Sequence, residues 1–264
     1  MKAYSGFAGV YDAFMEDIPY DLWLQHTLEL LEQREISAAE SGAIIELGCG
    51  TGNFTQRLAE QGFHVLGIDL AKDMLAEAER KHQKLPAAVA GRMEYRCQDM
   101  TDFQVDLQAA AVVSVCDSMN YLVSGEQLYQ AFCSAYAALK EQGAFVFDMK
   151  TAFFYGELLG ENTFAETRPD CAYIWENFYD EEECTNEYDL IIFVKNETGT
   201  YERFEETHIQ RAYEQEYIEA LLARAGFQHI AAVDADSMGA VEAESERVYY
   251  VCTKGVNGRK ECQN

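Results

Sequence analysis

The chain of 264 residues carries 46 acidic against 20 basic side chains, a formal charge of −26, and 48% of it is hydrophobic. That supplies one large domain, or one domain with a sizeable insertion, while the acidic balance argues against a protein that tracks a nucleic-acid backbone and suits small or cationic partners, or simply solubility. No apolar run approaches the roughly 20 residues that span a bilayer, the N-terminus opens no secretory signal, and the eight cysteines lack C-x-x-C spacing, so reduced thiols of a cytoplasmic protein are expected, with no metal site.

In chain order, Tyr4, Phe7, Tyr11, Phe14, Tyr20 and Trp23 crowd the N-terminus, and apolar positions at 24, 28 and 31 predict an amphipathic helix over 21–33, so that 1–35 reads as a helical lid. A short buried strand, 43–47, runs into Gly48-Cys49-Gly50-Thr51-Gly52, and a helix follows over 53–61. Strand 64–69 ends on Asp69, and helix 73–82 begins at an acidic turn; its end, Arg80-Lys81-His82-Gln83-Lys84, reads as a solvated helix terminus. Strand 92–96 leads to Asp99-Met100, strand 110–116 to Asp117, and helix 126–140 to strand 143–148. This alternation predicts a parallel α/β sheet with right-handed crossovers.

The next sheet strand, 228–234, lies about 80 residues on, whereas a βαβ unit needs roughly 30 in all. Helix 215–225, closed by Gly226, provides the crossover; residues 150–211 are left over and rich in aromatics. Strand-like runs at 172–179, 187–195 and 200–209, separated by Asp180-Glu181-Glu182-Glu183 and Asn196-Glu197-Thr198-Gly199, predict an antiparallel three-stranded insertion. It departs from the carboxyl edge of the sheet, where open α/β sheets bind ligands, so it is expected to cap the site; a satellite core or a dimer surface is the alternative. A last strand covers 247–253. The expected organisation is a core of 1–149 and 212–254, an insertion of 150–211, and a flexible tail of 255–264; monomer and homodimer are not distinguished.

The glycine turn between a strand and a helix lets backbone N–H groups approach a ligand closely, and an acid at the end of the second strand can accept both hydroxyls of a ribose. The spacing is G-x-G-x-G, not the dinucleotide G-x-G-x-x-G. Glu46, Asp69, Asp99 and Asp117 recur where successive strands end, a ring that repels a pyrophosphate and attracts the sulfonium and ammonium of S-adenosylmethionine.

At this point the sequence resembles the class I S-adenosylmethionine-dependent methyltransferases, in particular small bacterial members. Glu46 to Gly52 match their first motif as E-x-G-x-G-x-G, and Asp69 matches their ribose-binding acid. The resemblance implies a Rossmann-like, seven-stranded, mostly parallel sheet in which 228–234 and 247–253 form an antiparallel edge. It also implies a cofactor site of Tyr11, Glu46, Gly48, Cys49, Gly50, Gly52, Asp69, Leu70, Asp99, Met100 and Asp117, with Asp99-Met100 at the adenine and Cys116 to Leu122 beside the methionine portion.

Methyl transfer requires no universal protein nucleophile, so the acceptor side is less defined. His208 shares a strand face with Gln210 and is a candidate base, or an ordinary hydrogen-bonded histidine. Tyr121, Trp175 and Arg211 are candidate substrate contacts; Trp175, Glu176 and Asn177 suggest a cation pocket, with plain packing of Trp175 as the alternative. The expected activity is methylation of a small-molecule acceptor, a cationic one being compatible with the charge balance. Alternatives are a non-catalytic cofactor- or protein-binding module and an NAD-dependent oxidoreductase.

Overall fold

The computed structural model describes residues 7–38 and 42–256; Tyr4 and the expected tail from 257 onward lie outside the described residues. Two helices open the chain, α1 (Ala8–Phe14) and α2 (Tyr20–Glu32). They are followed by β1 (Ala43–Leu47), α3 (Asn53–Glu60), β2 (His64–Asp69), α4 (Lys72–His82), α5 (Ala87–Ala90) and β3 (Met93–Cys97). Next come β4 (Ala109–Ser114), a 3-10 turn (Ser118–Tyr121), α6 (Gly125–Ala138), β5 (Leu139–Lys150) and a π-helical turn (Phe154–Leu159). The chain then forms β6 (Thr163–Thr167), β7 (Cys171–Asp180), β8 (Thr185–Lys195) and β9 (Tyr201–Arg211), and closes with α7 (Gln215–Ala225), β10 (Phe227–Asp234) and β11 (Arg247–Lys254).

Local chemistry sets several of these boundaries. Ser124 and Gln127 form a reciprocal capping box at the start of α6, and Gly226 ends α7 in the left-handed region. Central strand β4 is buried throughout, as its unbroken apolar run requires of a parallel strand covered on both faces.

The first sheet has the order β10-β11-β5-β4-β1-β2-β3, and only β11 runs against the rest. The Rossmann-like seven-stranded expectation therefore holds, with β11 inserted between β5 and β10. Helices α6 and α7 pack with Phe132, Phe145 and Leu222 on one face; α2 and α3 pack with Leu31, Ile44 and Leu58 on the other. The direction of winding reverses between β1 and β4, which opens a crevice at their carboxyl ends.

The second sheet is antiparallel with order β6-β7-β8-β9. It contains the three predicted strands and their two turns, and a fourth strand that the sequence reading missed. β6 is short and its burial alternates exposed and half-buried, so it carries little apolar signal. The acidic turn serves itself: Asp180 Oδ1 accepts the N–H groups of Glu182 and Glu183. Among the described residues, Cys49, Cys97, Cys116, Cys171, Cys184 and Cys252 are free thiols.

Candidate active site

A cavity of about 800 Å³ lies over the carboxyl ends of β1, β2 and β4. Of the sequence-predicted site residues, Tyr11, Glu46, Gly48, Cys49, Gly50, Asp69, Leu70, Asp99, Met100, Asp117, Tyr121, Trp175 and His208 line it. Gly52 and Arg211 do not. Gly52 starts α3 with φ of 78°, and a Cβ there would collide with the Tyr95 hydroxyl; its place is structural. Arg211 faces away: its Nη1 donates to the Val123 carbonyl at 3.0 Å, and its guanidinium lies 5.3 Å from the Tyr213 ring centroid. The strand alternation that places His208 in the cavity also turns Arg211 out of it.

The glycine turn approaches the next loop so closely that a Cβ on Gly48, itself at φ of 71°, would overlap Ser118. Gly50 donates its N–H to Asp69 Oδ2 at 2.8 Å, and Ala71 donates to Asp69 Oδ1 at 2.8 Å. The carboxylate is thereby fixed toward the cavity, although burial pushes it above its ordinary range against those same N–H groups. Glu46 is buried and accepts from the Thr55 hydroxyl. Burial drives its carboxyl up to about 8, the Thr55 bond opposing and the nearby Asp69 adding to the shift. Leu70, 61% exposed, and Asp99 both line the cavity, and Asp99 Oδ1 accepts from Thr101 N at 2.8 Å.

Asp117 differs from the expected ring of uncompensated acids. Its Oδ1 lies 2.8 Å from Arg247 Nη2, and its Oδ2 accepts from Gln210 Nε2 at 2.9 Å and faces Lys150 Nζ at 3.5 Å. Burial opposes its charge, but Lys150 and Arg247 outweigh burial and hold its carboxyl below the ordinary range. Arg247 also grips Asp148. The neighbouring Cys116 thiol is pushed by burial, with Asp117 adding, up to about 12, which leaves it inert as a nucleophile.

Two pieces meet above the cavity. Phe14 of α1 packs edge-on against Tyr173 of β7 at 4.9 Å, and Phe7 N–H donates to Glu206 Oε1 of β9. Asp12, next to the predicted Tyr11, binds Thr51 Oγ1 at 2.6 Å, Asn53 Nδ2 at 2.9 Å and Lys81 Nζ at 2.6 Å. Lys81 therefore latches α1 to the glycine turn and is not merely a solvated helix end.

On the insertion side, His208 is 3% exposed, with Nδ1 3.3 Å from the Tyr121 hydroxyl and Nε2 3.3 Å from Glu206 Oε2. Trp175 faces the cavity and packs on Tyr188 at 4.9 Å. The grouped cation pocket of Trp175, Glu176 and Asn177 does not form: Glu176 is exposed on the opposite face, and Asn177 is buried in bonds to Gly160 and Asn186. Gln210, by contrast, joins the two sheets; its Oε1 accepts from Tyr155 and Tyr188 at 2.9 and 2.7 Å while its Nε2 donates to Asp117.

The sequence reading missed Asp12, Lys81, Lys150, Glu206 and Arg247 as site residues. Asp12 directly follows the predicted Tyr11, and Glu206 precedes His208 by one strand period; Lys150 and Arg247 carry no local signal and meet only through the β5–β11 register.

The residues at the glycine turn fit an adenosyl sulfonium. Glu46, Asp69 and Asp99 line that end of the cavity, where the backbone N–H groups of Gly50 and Ala71 fix the Asp69 carboxylate for the hydroxyls of a sugar.

Residues 44–143 match the family described as methyltransferase domain. A putative methyltransferase of Bacillus subtilis, YqeM, is 38% identical over 95% of this chain and 97% of its own length. A solved S-adenosylmethionine-dependent methyltransferase from Clostridium acetobutylicum superposes with a TM-score of 0.81 at 29% identity, over 97% of this chain and 100% of that one. S-adenosylmethionine-bound CalS10 from Micromonospora echinaspora, an amino pentose methyltransferase, shares the fold at 19% identity, with a TM-score of 0.68 over 93% of this chain and 96% of that one.

Proposed function

The chain belongs to the class I S-adenosylmethionine-dependent methyltransferases, and from that premise we propose that it methylates a small-molecule acceptor held beneath the antiparallel sheet. S-adenosylmethionine is its methyl donor and, when bound, supplies an activated sulfonium methyl. The protein's task is then alignment and exclusion of water.

In this reading Asp69 accepts the two ribose hydroxyls, and the backbone of Gly48, Cys49 and Gly50 runs along the methionine portion. Glu46 faces the ammonium; Leu70 and Met100 flank the adenine, with Asp99 at its amino group; Tyr11 closes over the cofactor from α1. Asp117, already neutralised by Arg247 and Lys150, acts as an organiser of the acceptor end. Tyr121 and Trp175 meet the acceptor. Where the accepting atom arrives protonated, the acceptor–methyl bond forms as the sulfur–methyl bond breaks, and His208, backed by Glu206, takes the proton.

The observation that carries a small acceptor is the roof: α1 and β7–β9 meet over the cavity through Phe14, Tyr173, Phe7 and Glu206, which narrows the access of a folded macromolecule to the reacting end. The net charge of −26 acts on approach from solution; inside the chamber Lys150 and Arg247 are balanced by Asp117 and Asp148.

The test is incubation with methyl-tritiated S-adenosylmethionine and a cell extract, followed by size fractionation. Label is expected in the dialysable fraction with wild type and to fall at least tenfold with Asp69→Ala, since loss of a hydrogen bond to a charged group costs about 1.5–3 kcal/mol. Label confined to protein or nucleic acid would sink the small-molecule reading.

A further inference from the structure

We propose that Lys150, together with the indole N–H of Trp175, is the recognition point for a carboxylate or related oxyanion on the acceptor, so that the acceptor is a small acid with an apolar body. This rests on the proposed small-molecule acceptor and narrows its chemical class.

Lys150 ends β5 at the carboxyl edge of the sheet and lines the cavity with its side chain only 14% exposed. Its ammonium lies 4.5 Å from the Phe154 ring centroid and 3.5 Å from Asp117 Oδ2, and among the described residues no side-chain hydrogen bond engages it. Asp117 is held more closely by others, Arg247 at 2.8 Å and Gln210 at 2.9 Å. Asp148 takes the second arm of Arg247. Two cations and two carboxylates therefore cancel in charge, so the cluster offers no net attraction to a cationic acceptor, while the N–H donors of Lys150 remain available to a ligand.

A second donor points to the same chemistry. Trp175 Nε1 is buried, lacks a hydrogen-bond partner, and belongs to a residue lining the same cavity. The two donors are linked through one chain of contacts: Trp175 packs on Tyr188, the Tyr188 hydroxyl donates to Gln210, and Gln210 donates to the carboxylate that faces Lys150. Buried donors without acceptors are costly, and a ligand oxygen relieves that cost. An ammonium suits a carboxylate or phosphate as a point charge, and the rings of Phe154, Trp175 and Tyr188 suit an apolar body. The cavity thus carries carboxylates at the glycine turn and a charge-balanced cluster with spare N–H donors at the far end, an order that suits a cationic donor at the first and an anionic acceptor at the second.

The cofactor's own methionine carboxylate is the other source of this chemistry, and the experiment separates the two. Protein saturated with S-adenosylhomocysteine is titrated calorimetrically with benzoate, benzamide and benzylamine. Benzoate is expected to bind at least about tenfold more tightly than benzamide, with benzylamine weakest. Lys150→Met should erase the preference, Lys150→Arg should keep it, and Trp175→Phe should reduce it about threefold, while S-adenosylhomocysteine affinity stays within about twofold in all three. Thermal melts confirm that each variant folds. Equal binding of benzoate and benzamide to the wild type overturns the proposal. So does a Lys150→Met variant that loses tenfold in S-adenosylhomocysteine affinity with benzoate unaffected, because the carboxylate is then the cofactor's. Binding of neutral or cationic probes in place of the acid defeats only the anionic class. Binding of none of the three, with methyl label entering protein, defeats the small-molecule reading itself.

Discussion

Glu46 is expected to couple donor binding to pH. In the cofactor-free protein its carboxyl is raised to about 8, burial being the main cause, so at pH 7 it is mostly neutral. A bound ammonium favours the ionised form. Affinity for S-adenosylmethionine is therefore expected to rise as pH increases from 6 to about 8 and then level off, with proton release on binding near neutrality. Calorimetric titrations in buffers of different ionisation enthalpy measure both. Glu46→Gln should bind more weakly at pH 8 and show a flattened profile; an unchanged slope in that variant would mean that another group titrates. Its place at the cavity was legible, because it directly precedes the glycine turn. Its neutral state was not, because that depends on the burial supplied by elements distant in sequence.

At the scale of elements, α1 is held to the glycine turn by Asp12 through Thr51, Asn53 and Lys81. Asp12→Ala should speed S-adenosylhomocysteine dissociation about fivefold, read by stopped-flow fluorescence. Lys81→Met, which leaves two of the three bonds, should have a smaller effect. An off-rate unaffected by Asp12→Ala would show that α1 does not gate the cofactor. The strands, crossovers and both hairpin turns could be read from period-two patterns and apolar runs, which are local properties. β6 could not, since it is short and none of its residues is fully buried. Arg247 shows the deeper limit. It opens β11, and because β11 alone runs antiparallel, its first residue falls beside Lys150 at the ligand edge. No spacing within the sequence announces a pairing made across about 100 residues.

For the whole molecule, opposed titrations shape stability, those of Asp117 and Glu46 among them. Asp117 is held below its ordinary range, so its ion pairs stabilise the fold above the unfolded value of about 3.9 and are lost as pH falls through the lower folded value. Glu46 acts in reverse: its folded value is raised, so a penalty grows once pH passes the unfolded value of about 4.3 and is complete above about 8. The empty protein should melt at a lower temperature at pH 8.5 than at 5.5, and Glu46→Gln should reduce that decline. Differential scanning calorimetry checks both. Saturating cofactor should offset the decline, because it binds the native state alone.

A crystal structure with S-adenosylhomocysteine tests the central claim most directly. The ribose oxygens are predicted within hydrogen-bonding distance of both Asp69 carboxylate oxygens, the homocysteine backbone along residues 48–50, and the sulfur directed toward the chamber of Lys150, Trp175 and His208. An adenosyl group bound elsewhere, or a ribose turned away from Asp69, would contradict the account.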